Sequence, residues 1–381
     1  MRKILLGISA AVLTTGLAPG WAAAQQSAIR QDNTAYGTTA AEFLLMAPTG
    51  RGAALGASYA ALATDVSAMY YNPAGLAQLP RAGVMASTMS YVADTRLSWV
   101  GFAVPFGGGS RAIGFQIGTF GFGDQPVYTV DDPENAAGEV YSVSQTVAGF
   151  TYAQQFSDRF SAGLNAKFIN DALGRTTGRA FALDFGTNFH ASVGGRPLRA
   201  SFVIQNLGST ITHTGNALDV TVVRAPPQGV GTGAQEPQPA RLQTKSWSLP
   251  VMFRVGMSYD VFATSSSRFT ALGEFSQPNN TDPGFNFAGE YNIRLGQSGF
   301  QLAGRLGYTS SPDNNLDAPT QGSPDFAGFS STVGSGSEGI SAGGGVRWQK
   351  NPRSLGLGFD YAYRNLGLLG GVNMVTVGLD W

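Results

Sequence analysis

Apolar residues alternate with small or polar ones from about residue 82 to the end of the chain, and this period of two limits the fold more than any other feature. In one stretch Val251, Phe253, Val255, Met257 and Tyr259 occupy every second position. A period of two is typical of β-strands, whose successive side chains point to opposite faces. The opposite face holds mostly Gly, Ala, Ser and Asn with scattered charges, whereas a soluble surface is richer in Lys and Glu. A soluble sandwich of two sheets stays an alternative, because the period alone does not exclude it.

The connections between the strands alternate in length. About fourteen strands fit between residues 82 and 381, and the even number is typical of bacterial barrels. Short turns follow the even-numbered strands, whereas the long connections, near 123–138, 209–246 and 310–337, follow odd-numbered ones. The sequence therefore predicts an all-β fold, a transmembrane antiparallel β-barrel with short turns in the periplasm and long loops outside.

Composition excludes several function classes. Charged residues make up 13% of the chain and the net charge is zero, so the basic surface that nucleic-acid binding requires is missing. Cysteine is absent, which excludes disulfides, thiolate metal sites and a lipid-modified cysteine. The 52 glycines exceed the usual share of about 7%, as expected where small residues line one face of a barrel wall. We expect no cofactor and no nucleic-acid partner.

The first residues have the pattern of a secretory signal peptide. Arg2 and Lys3 precede an apolar run over 4–17, and small residues up to Ala24 provide a cleavage site. The run is too short for a membrane-spanning helix, which needs ~20 apolar residues. We therefore predict a signal peptide over 1–24, an N-terminal periplasmic or hatch segment over 25–80, a barrel over 81–381, and a location in the outer membrane of a Gram-negative cell.

The segment before the strands lacks their alternation and suggests a compact plug. Its Ala-rich stretch leads to a helical turn that Thr64 or Asp65 can cap. Asn72 and Pro73 are expected to end that turn, because proline disfavours helical dihedrals in the residue before it. Gly75 is then free to take a positive φ and to lead the chain into the first strand.

The stretch GRGAALGASYAALATDVSAMYYNPAGLA resembles the amino-terminal signature of the PorV/PorQ family, which is itself similar to the fatty-acid transporter FadL and to aromatic-hydrocarbon channels. The resemblance continues to the carboxyl terminus through segments such as LPVMFRVGMSY and GLGFDYAYRNLGLLGGVNMVTVGLDW. The positions that match the signature are Gly52, Gly56, Asp65, Asn72, Pro73 and Gly75. Two departures are Ala57-Ser58 in place of a Gly-Gly pair and Thr64-Asp65 in place of two aspartates.

This resemblance implies a barrel of fourteen strands with the amino-terminal segment folded inside as a hatch, and it implies two roles. In the PorV/PorQ role the barrel binds the C-terminal domains of secreted cargo in type IX-like protein secretion and passes them to a surface attachment complex. In the FadL-like alternative it takes up hydrophobic small molecules such as fatty acids or hydrocarbons. Either role implies contact with outer-membrane lipid and with the barrel-assembly machinery.

Charged residues recur on the small-residue face of the strands. A charge on the lipid face costs about 2–4 kcal/mol near the midplane of the bilayer, so this phase predicts that they face the lumen. They either form a polar path or a latch on the hatch, or they neutralise one another in cross-strand pairs such as Glu290 with Arg305. These predicted lumen charges are Lys167, Asp184, Arg254, Glu274, Glu290, Arg305, Arg347, Asp360 and Arg364.

No catalytic constellation stands out, and we expect no enzymatic activity. His190 and Ser192 form a His-x-Ser pattern, but the strand count places them at the periplasmic end, where a histidine of the lumen or rim is the better interpretation. His213 lies in a long loop without acids at metal-ligand spacing. At the carboxyl end, Val377, Leu379 and Trp381 alternate into a terminal aromatic residue, a pattern expected of a barrel assembly signal and an interfacial aromatic belt.

Overall fold

The fold is taken from a computed structural model of the chain. It describes residues 37–223, 236–281, 283–296, 298–310, 339–351 and 354–381. The predicted signal peptide lies outside these residues, as do the middle of the 209–246 loop and nearly all of the 310–337 loop. The boundaries of the three predicted segments therefore stay predictions.

Fourteen long strands form the wall of the molecule. The first seven are β1 (Gly83–Ser90), β2 (Arg96–Phe106), β3 (Arg111–Pro126), β4 (Val140–Ser157), β5 (Phe160–Leu173), β6 (Thr176–Val193) and β7 (Arg196–Gly208). Three short strands in the next connection are β8 (Thr214–Gly215), β9 (Asp219–Val222) and β10 (Gln238–Arg241). The wall continues with β11 (Met252–Ala263), β12 (Ser267–Pro278), β13 (Gly284–Arg294), β14 (Phe300–Ser310), β15 (Ile340–Gln349), β16 (Gly356–Asn365) and β17 (Gly371–Asp380).

The wall is a closed antiparallel barrel, as the sequence predicted. Each wall strand pairs with the next one along the chain, β7 pairs with β11, and β17 returns to pair with β1. Closure leaves no sheet edge with unpaired backbone groups, which is why a barrel can stand in lipid. The short strand β8 pairs with β6, and β9 pairs with β10.

The two ends of the barrel differ in their connections. At the short-turn end, which we define by the connections after β2, β4, β6, β11, β13 and β15, the chain reverses within a few residues. The connections 127–139, 209–251 and 311–339 join strand ends at the opposite, long-loop end. The predicted length asymmetry is therefore present in the fold.

The two faces of the strands are as different as the alternation predicts. Outward positions hold large apolar side chains, of which Phe181 is 68% and Leu306 is 65% exposed. Inward positions hold small residues and the charged side chains, with Glu290 and Asp184 both buried. Small inward residues leave space in the lumen for another part of the chain.

The amino-terminal segment fills that space, and we call residues 40–80 the plug. It contains a 3₁₀ turn (Glu42–Leu45), helical turns (Gly50–Ala54 and Ala68–Tyr71) and a 3₁₀ helix (Pro73–Gln78). The turn Gly50–Ala54 contacts β14 to β17, whereas Pro73–Gln78 contacts β2 to β6. The plug therefore touches opposite walls. In the described residues, no helix is long and apolar enough to span a bilayer.

The course of the chain through the plug differs from the prediction in one respect. Asn72 ends the helical turn, but the chain does not pass directly into the wall. Instead, Pro73 opens the 3₁₀ helix that runs to Gln78. The reason is that proline is well tolerated at the first position of a helix, where its fixed φ fits and no donor is needed.

Candidate functional site

Asn72 anchors the plug to the wall through its side-chain amide. Its Nδ2 donates to the carbonyl oxygens of Ala60 at 3.0 Å and Thr187 at 3.2 Å, and it lies 3.2 Å from Oδ1 of Asn188. Its Oδ1 accepts from the N–H of Ala74 at 3.1 Å. One fully buried amide thus joins two parts of the plug to β6, and its loss would leave several buried groups without partners.

Gly75 serves packing and not a positive φ, which corrects the sequence-based expectation. It lies inside the 3₁₀ helix, and a Cβ at this position would stand 1.9 Å from the carbonyl oxygen of Ala63. Gly52 is similar, since its Cβ would meet Oη of Tyr71 at 2.1 Å. These two signature glycines allow one layer of the plug to lie directly on another.

Gly56 and Ala57 form a left-handed turn in the plug, with φ of +62° and +63°. Glycine takes this conformation without cost, whereas an L-residue pays about 1–2 kcal/mol. At position 57 the PorV/PorQ signature has glycine. Alanine at this position keeps the left-handed turn, but its backbone is strained. Asp65, another signature residue, accepts a hydrogen bond from the N–H of Ser67 at 3.0 Å, but the helical turn that follows begins after Ser67 and has no side-chain cap.

A chain of ion pairs links the plug to the wall at mid-barrel. Arg51 Nε donates to Glu290 Oε2 and its Nη2 donates to Oε1, both at 2.8 Å. Arg305 holds the same carboxylate from the neighbouring strand at 2.7 Å and reaches Asp360 at 2.6 Å. Arg51 also pairs with Asp65 at 3.2 Å. We call the Arg51–Glu290 contact the latch, because it joins plug and wall.

The structure thus contains both alternatives left open for the lumen charges. Glu290 and Arg305 face each other across β13 and β14, as a neutralising pair does. Arg51, which the sequence did not single out, adds the contact to the plug. The plug has no alternating pattern that would single out Arg51, and its partner Glu290 lies 239 residues away in sequence. Only the tertiary fold reveals this contact.

The remaining predicted lumen charges form separate groups. Lys167 pairs with Asp184 at 2.6 Å and hydrogen-bonds Asn206. Arg254 and Glu274 are buried and lie 3.6 Å apart, with Nη1 of the arginine and Oε1 of the glutamate lacking a hydrogen-bond partner among the described residues.

Two predicted charges stand nearer the ends of the barrel. Arg347 pairs with Asp380 at 2.8 Å at the short-turn end. Arg364 lies in the long-loop half of β16, one residue from its end, with its Nε unpaired within the described chain. Asp260 lies an even number of residues from Arg254 and therefore on the same face of β11, and it pairs with Arg199 at 3.2 Å. The alternation of faces along the strand was the signal that would have identified Asp260 as a lumen charge.

An apolar layer closes the lumen toward the long-loop end. It is built from the start of the plug, from β5 and β6, and from the connection between β7 and β11. Its members are Ala41, Phe43, Leu44, Ile169, Ala180, Ala182, Ile211 and Leu249. A water-filled channel has a polar interior. This end of the lumen is instead suited to apolar molecules.

Beside this layer, a small cavity lies between plug and wall. Its volume is about 30 Å³ and its lining includes Phe43, Leu44, Tyr70 and Trp99. Nε1 of Trp99 donates to Gln116 at 2.9 Å. Burial raises the pKa of Tyr70 to about 12, so its hydroxyl stays neutral at ordinary pH. A cavity that binds benzene measures about 150 Å³, so this small cavity has room for water only.

Both histidines contact residues distant in sequence. Nε2 of His190 lies 2.6 Å from Nε2 of Gln78, so this histidine faces the plug near the short-turn end. Nε2 of His213 lies 3.3 Å from Asp171, an acid that the sequence spacing did not suggest. Within the described residues, no three metal-ligating side chains converge.

The carboxyl-terminal residues lie on the outer face. Val377 and Trp381 are each about half exposed. The ring of Trp381 stacks on Phe102 with 6.2 Å between ring centroids. Leu379 pairs with Val84 across β17 and β1. Their part in assembly stays a prediction.

Comparison with known proteins agrees with the architecture. The model of an uncharacterised protein family, UPF0164, matches residues 15–167, less than half of the 381 residues. No curated protein sequence matches the chain. Among solved structures, the toluene transporter TbuX of Ralstonia pickettii is similar with a TM-score of 0.52 at 12% identity, over 89% of this chain and 98% of TbuX.

Two further structures are similar to the same extent. The toluene transporter TodX of Pseudomonas putida has a TM-score of 0.50 at 10% identity, over 88% of this chain and 97% of TodX. The monoaromatic hydrocarbon channel CymD has a TM-score of 0.52 at 12% identity, over 87% of this chain and 96% of CymD. At such low identity the likeness concerns the fold alone, and that fold is a barrel shared with transport channels.

Proposed function

We propose that this protein is an outer-membrane channel through which small hydrophobic molecules pass when the plug moves. The observation that carries this proposal is the apolar layer in the long-loop half of the lumen. Apolar side chains such as Ile169 and Leu249 lie there, fully or almost fully buried, where a general porin would present polar groups to water. The similarity of the fold to hydrocarbon channels supports the same function.

The exposed outer surface supports a place in the outer membrane. Exposed large apolar side chains lie on the outer face of all the wall strands except β1 and β12, and a soluble protein rarely exposes an apolar area of that extent. Lipid is the cover that suits a closed barrel with such a surface. The predicted signal peptide, cleaved near Ala24, would bring the chain across the inner membrane, and the barrel-assembly machinery would insert it.

Uptake of a hydrocarbon by intact Gram-negative cells tests the proposed function. Cells that produce the protein are expected to take up radiolabelled toluene faster than cells without it. Leu249→Asp places a charge in the apolar layer and should abolish the gain. Leu242→Asp is the matched control, because Leu242 lies in the same connection and is 57% exposed. Equal uptake with and without the protein would refute the proposal.

The second candidate is the PorV/PorQ role in type IX-like secretion, in which the barrel binds cargo C-terminal domains and a surface attachment complex. The tight packing of the plug beside the apolar layer favours it, because a cavity of about 30 Å³ gives no passage there in the closed state. The comparisons favour transport. Cross-linking in native membranes separates the two: enrichment of a secreted protein or attachment subunit supports this role, and its absence together with toluene uptake excludes it.

A further inference from the structure

A chamber of about 430 Å³ lies at the short-turn end, between the plug and the wall. Its size falls within the roughly 300–1,000 Å³ typical of small-molecule sites. It is on the opposite side of the plug from the apolar layer, and its character is opposite too. Six arginines border it: Arg51, Arg81, Arg199, Arg268, Arg305 and Arg347.

Most of these arginines share carboxylates. Arg51 and Arg305 both hold Glu290, while Arg81 and Arg347 both hold Asp380. The other carboxylates paired with this set are Asp65, Asp260 and Asp360. Among the described residues, five of these six arginines therefore have a carboxylate partner, and one does not. In a concave site with walls of low dielectric constant, the electric field of an unpaired positive charge acts strongly on an ion that enters.

The arginine without a carboxylate partner is Arg268. This side chain is half buried near the start of β12. In the described part of the chain it has no carboxylate within ion-pair distance and no hydrogen-bond partner. Asn292, which also borders the chamber, is its direct cross-strand neighbour on β13. Gln301 lies opposite Arg347 on the next pair of strands. One unpaired guanidinium and two amides are thus collected on the same wall.

We propose that this chamber binds one small oxyanion, a carboxylate or a phosphate, through Arg268. The planar fork of a guanidinium matches the two oxygens of either group, and a charge-assisted hydrogen bond is about twice as strong as a neutral one. Nδ2 of Asn292 already donates to Oε1 of Glu290 at 2.9 Å, so its second N–H and the amide of Gln301 supply the further donors. The site goes beyond the proposed function, because an uncharged hydrocarbon has neither a negative charge nor a hydrogen-bond acceptor for Arg268.

Calorimetric titration of the purified full-length protein in detergent tests this site. Inorganic phosphate and benzoate are titrated separately at low ionic strength, where screening is weakest. We expect wild type to bind at least one of them, and Arg268→Gln to bind it at least tenfold more weakly. Arg268→Lys keeps the charge but loses the fork, so its affinity should lie between the two. Arg159→Gln is the matched control, an exposed arginine at the same end but outside the chamber.

The pattern of results identifies the ligand or removes the proposal. Binding of phosphate alone indicates an inorganic ion, binding of benzoate alone an organic acid, and binding of both the shared oxyanion chemistry. Absence of heat with both titrants, or equal affinity in wild type and Arg268→Gln, overturns the proposal. Unchanged toluene uptake by Arg268→Gln cells shows in either case that the proposed function is a separate question.

Discussion

Replacing Arg51 by methionine should release the plug without unfolding the barrel. The change removes the bidentate contact to Glu290, whose side chain is fully buried, and keeps much of the apolar volume of Arg51. Breaking one side of a buried ion pair costs about 3–5 kcal/mol. Here Arg305 still holds the carboxylate at 2.7 Å, and the side chain of Arg51 is 21% exposed. We therefore expect a loss of about 2–3 kcal/mol in the stability of the plug.

That loss corresponds to an opening about 30 to 150 times more frequent, because about 1.4 kcal/mol changes an equilibrium tenfold. Amide hydrogen exchange read by mass spectrometry measures it. Peptides covering 50–63 should exchange faster by that factor, since their amides, such as that of Ala57 bonded to Gly52, are protected only while the plug is closed. Wall peptides such as those from β4 should keep their rates.

Two further variants show whether the latch is responsible. Arg51→Lys keeps the charge but not the two parallel hydrogen bonds, and should lie between wild type and Arg51→Met. Arg175→Met removes an ion pair with Glu139 whose members are 60% and 50% exposed. Such surface pairs are worth about 0–1 kcal/mol, so plug exchange should not change. If Arg51→Met exchanged at the wild-type rate, the latch would not be what holds the plug.

Three other substitutions test the plug and the wall. Ala57→Gly should stabilise the plug by about 1 kcal/mol, because φ is +63° at this position, and slower exchange of peptides 50–63 checks it. Gly75→Ala should disrupt the plug, because its Cβ would lie 1.9 Å from a carbonyl oxygen. Protease cleavage near residue 75 reports the result, and resistance equal to wild type contradicts it. Phe181→Arg places a charge on the outer face and should cost about 2–4 kcal/mol if that site is near the bilayer midplane. Lower heat resistance of the folded band in SDS is the expected sign.

The wall was predictable from the sequence because its determinant is local. Successive residues of a strand point alternately inward and outward. Phe181 and Asp184 are an odd number of residues apart, so they lie on opposite faces, one toward lipid and one toward the lumen. Turn lengths then give the number of strands and distinguish the two ends. Neither step needs to know which residues meet in space, and the fourteen predicted strands correspond to the fourteen of the barrel.

The presence of a plug could be predicted from the sequence, but its contacts could not. Its contacts join residues far apart in sequence, such as Arg51 with Glu290, and no local pattern encodes them. Gly75 shows the limit clearly: turn chemistry suggested a positive φ, whereas the actual constraint is the oxygen of Ala63 packed against it. The unpaired charge at Arg268 likewise follows only from counting partners in space.

Initial rates of toluene uptake in cells that produce wild type or Arg51→Met test the central claim most directly. If hydrophobic molecules pass when the plug moves, and if this movement limits the rate, the variant should take up toluene faster in proportion to its faster plug exchange. Uptake by the variant equal to that of cells without the protein, while the plug exchanges faster, would contradict the claim.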